Sequence, residues 1–336
     1  MKKLLTVALL ATAAFGAEGY KIISKIKIGG TGGWDYLTLD NASRRLYVSH
    51  TNQVEVVDAD SGKLVGTIPE TPGVHGIAIA AEFNKGFISS RGASAAIIFD
   101  LKTLQKTGEA KAGNNPDAIC YEPKTKRVFA INHSSNDATA IDAKTGQVIK
   151  TFPVGPTPEF CVVDGAGMVY VNIEGSSEVV EIDAAKAEVT RRASLAPAES
   201  PTGLAIDVKN KKLFSTCNKM MAVTDITTMK VIATPAIGAG TDGGGFDPGL
   251  GLAFSANGGD GTMTIVKLVN GKYEAVDTVT TERGARTMTV DEKLHRAYFP
   301  AAEYGPTPEP KEGQPKGRGG RAPVLPDSFH VLVVGK

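Results

Sequence analysis

Short apolar runs, alternating or continuous, recur along the chain and are cut every few positions by Gly, Asn, Asp and Lys turns. The stretch from Asn115 to Gly155 shows the unit. Asn115-Pro116-Asp117 reads as a turn and Ala118 to Tyr121 as a short strand. A polar turn, Glu122 to Lys126, leads to a second strand, Arg127 to Ile131. A polar corner, Asn132 to Asp137, leads to a third, Ala138 to Asp142. Ala143-Lys144-Thr145-Gly146 then turns tightly into a fourth, Gln147 to Val154. Four short strands joined by turn residues predict a meander with no room for a helix.

The unit repeats. Aligned on the residue that ends each first strand, its copies fall at Asp40, Ala80, Glu122, Asp164, Asp207, Asp247 and Asp291. Four strands in about 40–45 residues is the period of a propeller blade. The number of copies lies within the roughly 4–8 blades that such rings use. A sandwich explains neither the period nor the repeated turn chemistry. The pattern therefore predicts an all-β, seven-bladed β-propeller of four-stranded blades, a single domain over residues 18–336. Tyr20 to Ile28 (YKIISKIKI) reads as a strand without partners of its own, and the last repeat ends at Ser328 to Val334 without a fourth strand. The N-terminal strand is expected to complete the last blade, which closes the ring and removes both open sheet edges.

Residues 1–17 read as a signal peptide. Lys2 and Lys3 form a positive start, Leu4 to Phe15 an apolar run, and Ala14-Phe15-Gly16 supplies small residues for cleavage after Gly16 or Ala17. The mature protein is expected to be periplasmic or secreted. No later stretch has the length and apolarity of a transmembrane helix, so no membrane insertion is expected. Without Lys2 and Lys3 the basic residues number 37 − 2 = 35 against 36 acidic, a net charge of −1. That balance exerts no global pull on nucleic acid or anionic lipid.

Three cysteines, Cys120, Cys161 and Cys217, leave at least one thiol free. Cys120 and Cys161 sit one place out of register in neighbouring copies, so strand alternation should turn them to different faces. All three read as buried small apolar residues. A nucleophile at Cys217 is the sharper alternative, but no His lies near it in its repeat.

Arg45-Leu-Tyr-Val-Ser-His-Thr-Asn52, Ala140-Ile-Asp-Ala-Lys-Thr-Gly146 and Val169-Tyr-Val-Asn172 resemble the Tyr-Val-Thr-Asn (YVTN) propeller repeat. Over its mature length the chain resembles the YncE-like YVTN proteins of bacteria, which implies a seven-bladed, exported propeller. Related propellers include lactonases, a streptogramin lyase and proteins reported to bind single-stranded DNA. Fold alone does not select among these activities.

Blade topology sorts residues by face. Turns between first and second strands, and between third and fourth, open on one face. These carry ordinary turn residues and His295, to which no function is assigned. Loops entering the first strands, and corners after the second, open on the other face. Entry loops bring Trp34-Asp35, His75, Asp117, Glu159, Thr202, Asp242 and Arg286 there. Corners bring His50, Arg91, His133, Glu174, Asn218, Asn257 and Glu303. Asp117 and Thr202 are read as hydrogen bonding one blade to the next. The expected ligand ring at the channel mouth is His50, His75, Arg91, His133, Glu159, Glu174, Asn218, Asp242, Asn257 and Arg286.

Three chemistries suit this ring. His50, His75 and His133 with Glu159 or Glu174 could hold zinc or another divalent metal. Arg91 and Arg286 could clamp a carboxylate or phosphate. In a catalytic reading His75 or His133 is the base, Arg91 or Arg286 the clamp and Glu174 the orienter. A binding or interaction module is the leading reading, with a small anionic molecule or a protein as partner, and the protein a monomer. An enzyme of lactone hydrolysis or elimination is the alternative. Nucleic acid is not the expected partner, because basic residues are dispersed and Trp34 is the one evident aromatic near the ring. Residues 303–327 interrupt the last repeat with Pro, Gly and charge, including Lys311, Lys316, Arg318 and Arg321. They are expected to form a mobile loop leaving from the face of the ring.

Overall fold

A computed structural model describes residues 19–306 and 322–336. The signal-peptide segment and the centre of the insertion, with Lys311, Lys316, Arg318 and Arg321, lie outside these. Seven four-stranded antiparallel sheets follow one another as blades. Blade 1 is Leu37–Asp40, Arg45–His50, Gln53–Asp58 and Leu64–Ile68, numbered outwards from the axis. The innermost strands of blades 2 to 7 are Val74–Ala80, Pro116–Glu122, Pro158–Val163, Leu204–Asp207, Thr241–Asp247 and Thr289–Asp291. Each touches the next, and the circle closes between blades 7 and 1.

Closure runs through the N-terminal strand. Lys21–Lys27 pairs antiparallel with His330–Gly335, with Ile26 opposite Val331, and forms the outer strand of blade 7. Edge strands with unpaired backbone groups invite wrong pairing, and the two chain ends remove a pair of them here.

The repeat is written in its turns. Six anchor residues are the last of an innermost strand, and Asp164 directly follows Val163. The anchor carboxylates accept backbone N–H groups of their own turn: Asp40 from Ala42, Asp247 from Gly249 and Leu250, Asp291 from Lys293 and Leu294. The third strands end likewise, Asp58 accepting from Ser61 and Asp142 from Thr145. A short carboxylate that closes its own turn is the reason Asp marks these corners. Arg44, Lys126, Lys211 and His295 then take the left-handed conformation, with φ of 58°, 60°, 54° and 53°.

The core lies between blades. Phe129 and Ile131 of blade 3 meet Val169 and Val171 of blade 4, all fully buried. Cys120 and Cys161 do point to opposite sides of their own sheets, and that is why they meet. The forward side of blade 3 faces the backward side of blade 4, and the Cys161 thiol interacts with Cys120 inside that shared cluster. Burial pushes the Cys217 thiol up to about 12, which makes it an inert core residue. Among the described residues no helix is long and apolar enough to cross a membrane.

Candidate functional site

The innermost strands do not begin regularly. In blades 2, 3, 4 and 6 their pairing with the second strand shifts register at the first residues: between Val74 and Ile77, Pro116 and Ile119, Pro158 and Cys161, Thr241 and Gly243. His75, Asp117, Glu159 and Asp242 sit in those irregular steps. A bulge releases one residue from the ladder and re-aims its side chain. Serines of the second strands hold the freed backbone: Ser49 Oγ accepts from Asp35 N at 2.8 Å, and Ser89 Oγ from Gly76 N at 2.7 Å. The result is one polar residue turned to the channel from each of these four blades.

Asp35, His75, Asp117, Glu159, Asp242 and Arg286, from six blades, wall a cavity of about 230 Å³ at the mouth. Tyr36, Asn115 and His133 complete it. Thr202 of blade 5 turns away and donates to Thr241 O of blade 6 at 3.1 Å. Tyr36 reaches across the axis from blade 1 to Phe160 of blade 4, with ring centroids 4.9 Å apart. Its hydroxyl donates to Asp117 Oδ2 at 3.3 Å.

Two side-chain trios face the cavity. His75 Nδ1 meets both Asp35 Oδ2 and Asp117 Oδ1, the latter at 2.7 Å. His133 Nε2 lies 3.2 Å from Glu159 Oε1, with Glu174 beside them. In each trio the three polar atoms lie within 4.8 Å of one another. Arg286 bonds Asp242 Oδ2 at 2.7 Å through Nε, and Nη2 donates to Trp34 O at 3.0 Å and Asp35 Oδ1 at 3.4 Å.

Burial sets the local acidity, and the neighbouring charges adjust it. Burial, with Asp117 and Asp242 nearby, pushes Glu159 up to about 8 against the pull of His133. Its hydrogen bond in turn raises His133, against burial. Burial and the charge of Asp35 push Asp242 up to about 7 although Arg286 is bonded to it. Burial opposes a charged His75, but Asp117 and Asp35 outweigh it and carry its pKa up to about 10. Burial first, and neighbouring acids second, therefore keep the protons of Glu159 and Asp242 to a higher pH than usual.

The expected ring divides. His75, His133, Glu159, Asp242 and Arg286 line the cavity, and Glu174 stands at its side. His50 and Asn257 are instead the last residues of second strands, one place short of the corner. A one-residue offset on a strand turns a side chain to the other face. His50 accordingly sits between Glu55 and Thr31 O, each at 3.2 Å, against the Phe329 ring. Asn257 is fully buried and donates to Thr262 and Thr264 hydroxyls at 3.1 and 2.9 Å. Arg91, Asn218 and Glu303 are exposed and outside the cavity lining. Asp35 and Asp117 belong to the site, Asp117 beyond its inter-blade role, and Tyr36 and Asn115 join them. The entry position was the signal that could have found the two Asp, since the same position in other blades carries His75, Glu159 and Asp242. A wider groove of about 1220 Å³ adjoins along blades 6, 7 and 1 and shares Asp242 and Arg286 with the mouth.

No family model matches the chain, and no curated protein matches it. Solved structures do. A chain of the Kuenenia stuttgartiensis hydrazine synthase is similar at 15% identity with a TM-score of 0.71, over 80% of this chain and 92% of that one. A structure described as U3-55K is similar at 8% identity with a TM-score of 0.74, over 93% and 98%. The WD40 repeats of RRP9 are similar at 8% identity with a TM-score of 0.75, over 94% and 98%. At such identities the likeness establishes the seven-bladed propeller fold, and the function has to be argued from the mouth of the channel.

Proposed function

We propose that this chain is an exported ligand-binding propeller of YVTN type whose channel mouth takes a cation or the cationic group of a larger molecule. One observation carries the reading. Four carboxylates, those of Asp35, Asp117, Glu159 and Asp242, line the cavity with one guanidinium and two imidazoles. Glu174 adds a fifth beside His133. The guanidinium of Arg286 is already committed to Asp242 and Asp35. The carboxyl groups of Glu159 and Asp242, pushed up to about 8 and about 7, have protons to give up to an entering cation, and low-dielectric walls make the resulting charges act strongly on it.

The small anion expected from Arg91 and Arg286 suits this balance poorly, because Arg91 is exposed outside the cavity and Arg286 has its partners. The same facts weigh against the lactonase- or lyase-like alternative, which needs a free guanidinium beside a basic His. The test is calorimetric titration of the mature protein, followed also by its single tryptophan, Trp34, which adjoins Asp35. Zinc chloride and arginine methyl ester serve as cationic probes, sodium succinate and phosphate as anionic ones. Saturable binding of a cation with no response to the anions is the expected result. Binding of succinate or phosphate that is lost in Arg286→Lys, without cation binding, would overturn the reading. Export is tested separately by the mass of the protein recovered from its own compartment, which should correspond to a chain cut after Gly16 or Ala17.

A further inference from the structure

We infer that Asp35, His75 and Asp117, from three consecutive blades, form a binding site for a divalent transition-metal ion. This rests on the proposal that the mouth takes a cation, and names the ion and the residues that hold it.

One imidazole nitrogen faces two carboxylates. Asp35 Oδ2 and Asp117 Oδ1 both approach His75 Nδ1, Asp117 at 2.7 Å. A ring N–H carries one proton and cannot be donated fully to two carboxylates. Three ligand-type atoms thus converge on one point; in the free protein the shared proton and the charge of the imidazolium hold them there. A metal ion in place of that proton would be bonded by all three. With bonds of about 2.1 Å in tetrahedral array its ligand atoms stand about 3.4 Å apart. Asp117 would therefore withdraw by about 0.7 Å from its 2.7 Å contact, and Asp35, which stands closer, by somewhat more.

The outer partners are in place as well. Each Asp offers one oxygen to the trio, and its other oxygen is held from behind. Tyr36 Oη donates to Asp117 Oδ2 at 3.3 Å, and Arg286 Nη2 to Asp35 Oδ1 at 3.4 Å. Fixing the second oxygen of a ligating carboxylate is what outer-shell groups of metal sites do. In the neighbouring trio no such tie is seen on Glu159 or Glu174 among the described residues, and His133 Nδ1 is buried with no hydrogen-bond partner.

Donor type sets the class of ion. An imidazole nitrogen with two carboxylates suits zinc, manganese, iron or cobalt in the divalent state. Calcium and magnesium prefer oxygen shells. Three protein ligands leave the remaining positions open towards the cavity, as in sites where a metal holds an exchangeable ligand.

The experiment uses full-length mature protein treated with EDTA and dialysed. Cobalt chloride is titrated in and followed by the visible absorption of bound Co²⁺, and zinc chloride by calorimetry. One equivalent should bind, with calcium chloride failing to compete at equal concentration. Asp117→Asn and His75→Ala should weaken binding about 100-fold or more. Tyr36→Phe keeps all three ligands and should weaken it about 10-fold, within the range for outer-shell changes. Melting curves establish that each variant is folded, and the near-isosteric Asp117→Asn keeps the test valid if His75→Ala unfolds. Loss of binding in His133→Ala but not in the folded His75 and Asp117 variants would overturn this site and leave the cation reading standing. Failure of Co²⁺ and Zn²⁺ to bind while arginine methyl ester binds would do the same. Failure of every cationic probe would overturn both.

Discussion

The two faces of the propeller use the same residue types and treat charge in opposite ways. On the face of the strand-ending turns, several acids pair with bases across blade boundaries. Arg44 binds Asp291, His295 binds Asp247 at 2.7 Å, and Lys126 binds Glu82, each pair joining neighbouring blades. Despite burial, Arg44 and the turn amides hold Asp291 below its usual carboxylate range. At the channel mouth acids outnumber bases, and Glu159 and Asp242 rise to about 8 and about 7. Matched pairs tie blades together and have no use for a newcomer. Buried acids that keep their protons cost stability and can exchange those protons for a cation, which is how binding sites come to oppose stability.

Both faces depend on a closed ring, so the largest effect should come from opening it. Deleting residues 19–28 removes the outer strand of blade 7 and should cost on the order of 5 kcal/mol, comparable with the whole margin of many domains. Urea denaturation measures it, and a midpoint equal to that of the parent would show that the strand adds nothing.

Next comes the matched face. The Asp291 side chain has no solvent exposure and that of Arg44 has 10%. Asp291→Ala leaves the Arg44 guanidinium with Asp60 as its remaining acidic partner and should destabilise by about 2 kcal/mol. Cation binding at the mouth should not change, and a parallel loss of both would mean the faces are not independent.

Glu159→Gln should act in the opposite sense. The folded protein holds the Glu159 proton up to about 8, while the ordinary value is 4.5. Between those values the folded state binds more protons than the unfolded chain, so stability falls as pH rises, by at most about 1.4 kcal/mol per pH unit. The Gln variant should lose this fall, become the more stable protein above that window, and bind cations less well. Stability measured across the pH range decides it; an unchanged slope would place the proton elsewhere. The smallest effect belongs to Arg91→Ala, an exposed change expected to stay within about 0.5 kcal/mol in stability and to leave cation affinity unaltered.

The blades were legible because their signals are local. Asp at the strand ends, Gly or a left-handed residue after it, and alternating apolar runs all act within a few residues. The mouth was legible in part. Entry positions could be read from topology, and they brought His75, Glu159, Asp242 and Arg286 together. Corner positions were harder. His133 and Glu174 lie one step past their strands, whereas His50 and Asn257 lie on the last strand residue and turn into the blade interface. Strand ends cannot be placed to one residue from pattern alone, and a period of two makes one residue decisive.

The amino-acid sequence by itself determined the fold class, the number of blades, the closure through the N-terminal strand and the face on which polar residues gather. These follow from turn chemistry and alternation, which are properties of short segments. Only the tertiary structure decided that Asp35 and Asp117 share His75, that Tyr36 crosses the channel, and that acids outnumber bases at the mouth. Those side chains come from residues as far apart as Asp35 and Arg286. Their charges act on one another only once seven blades have brought them within a few ångströms, because Coulomb interaction depends on distance and burial and not on separation along the chain.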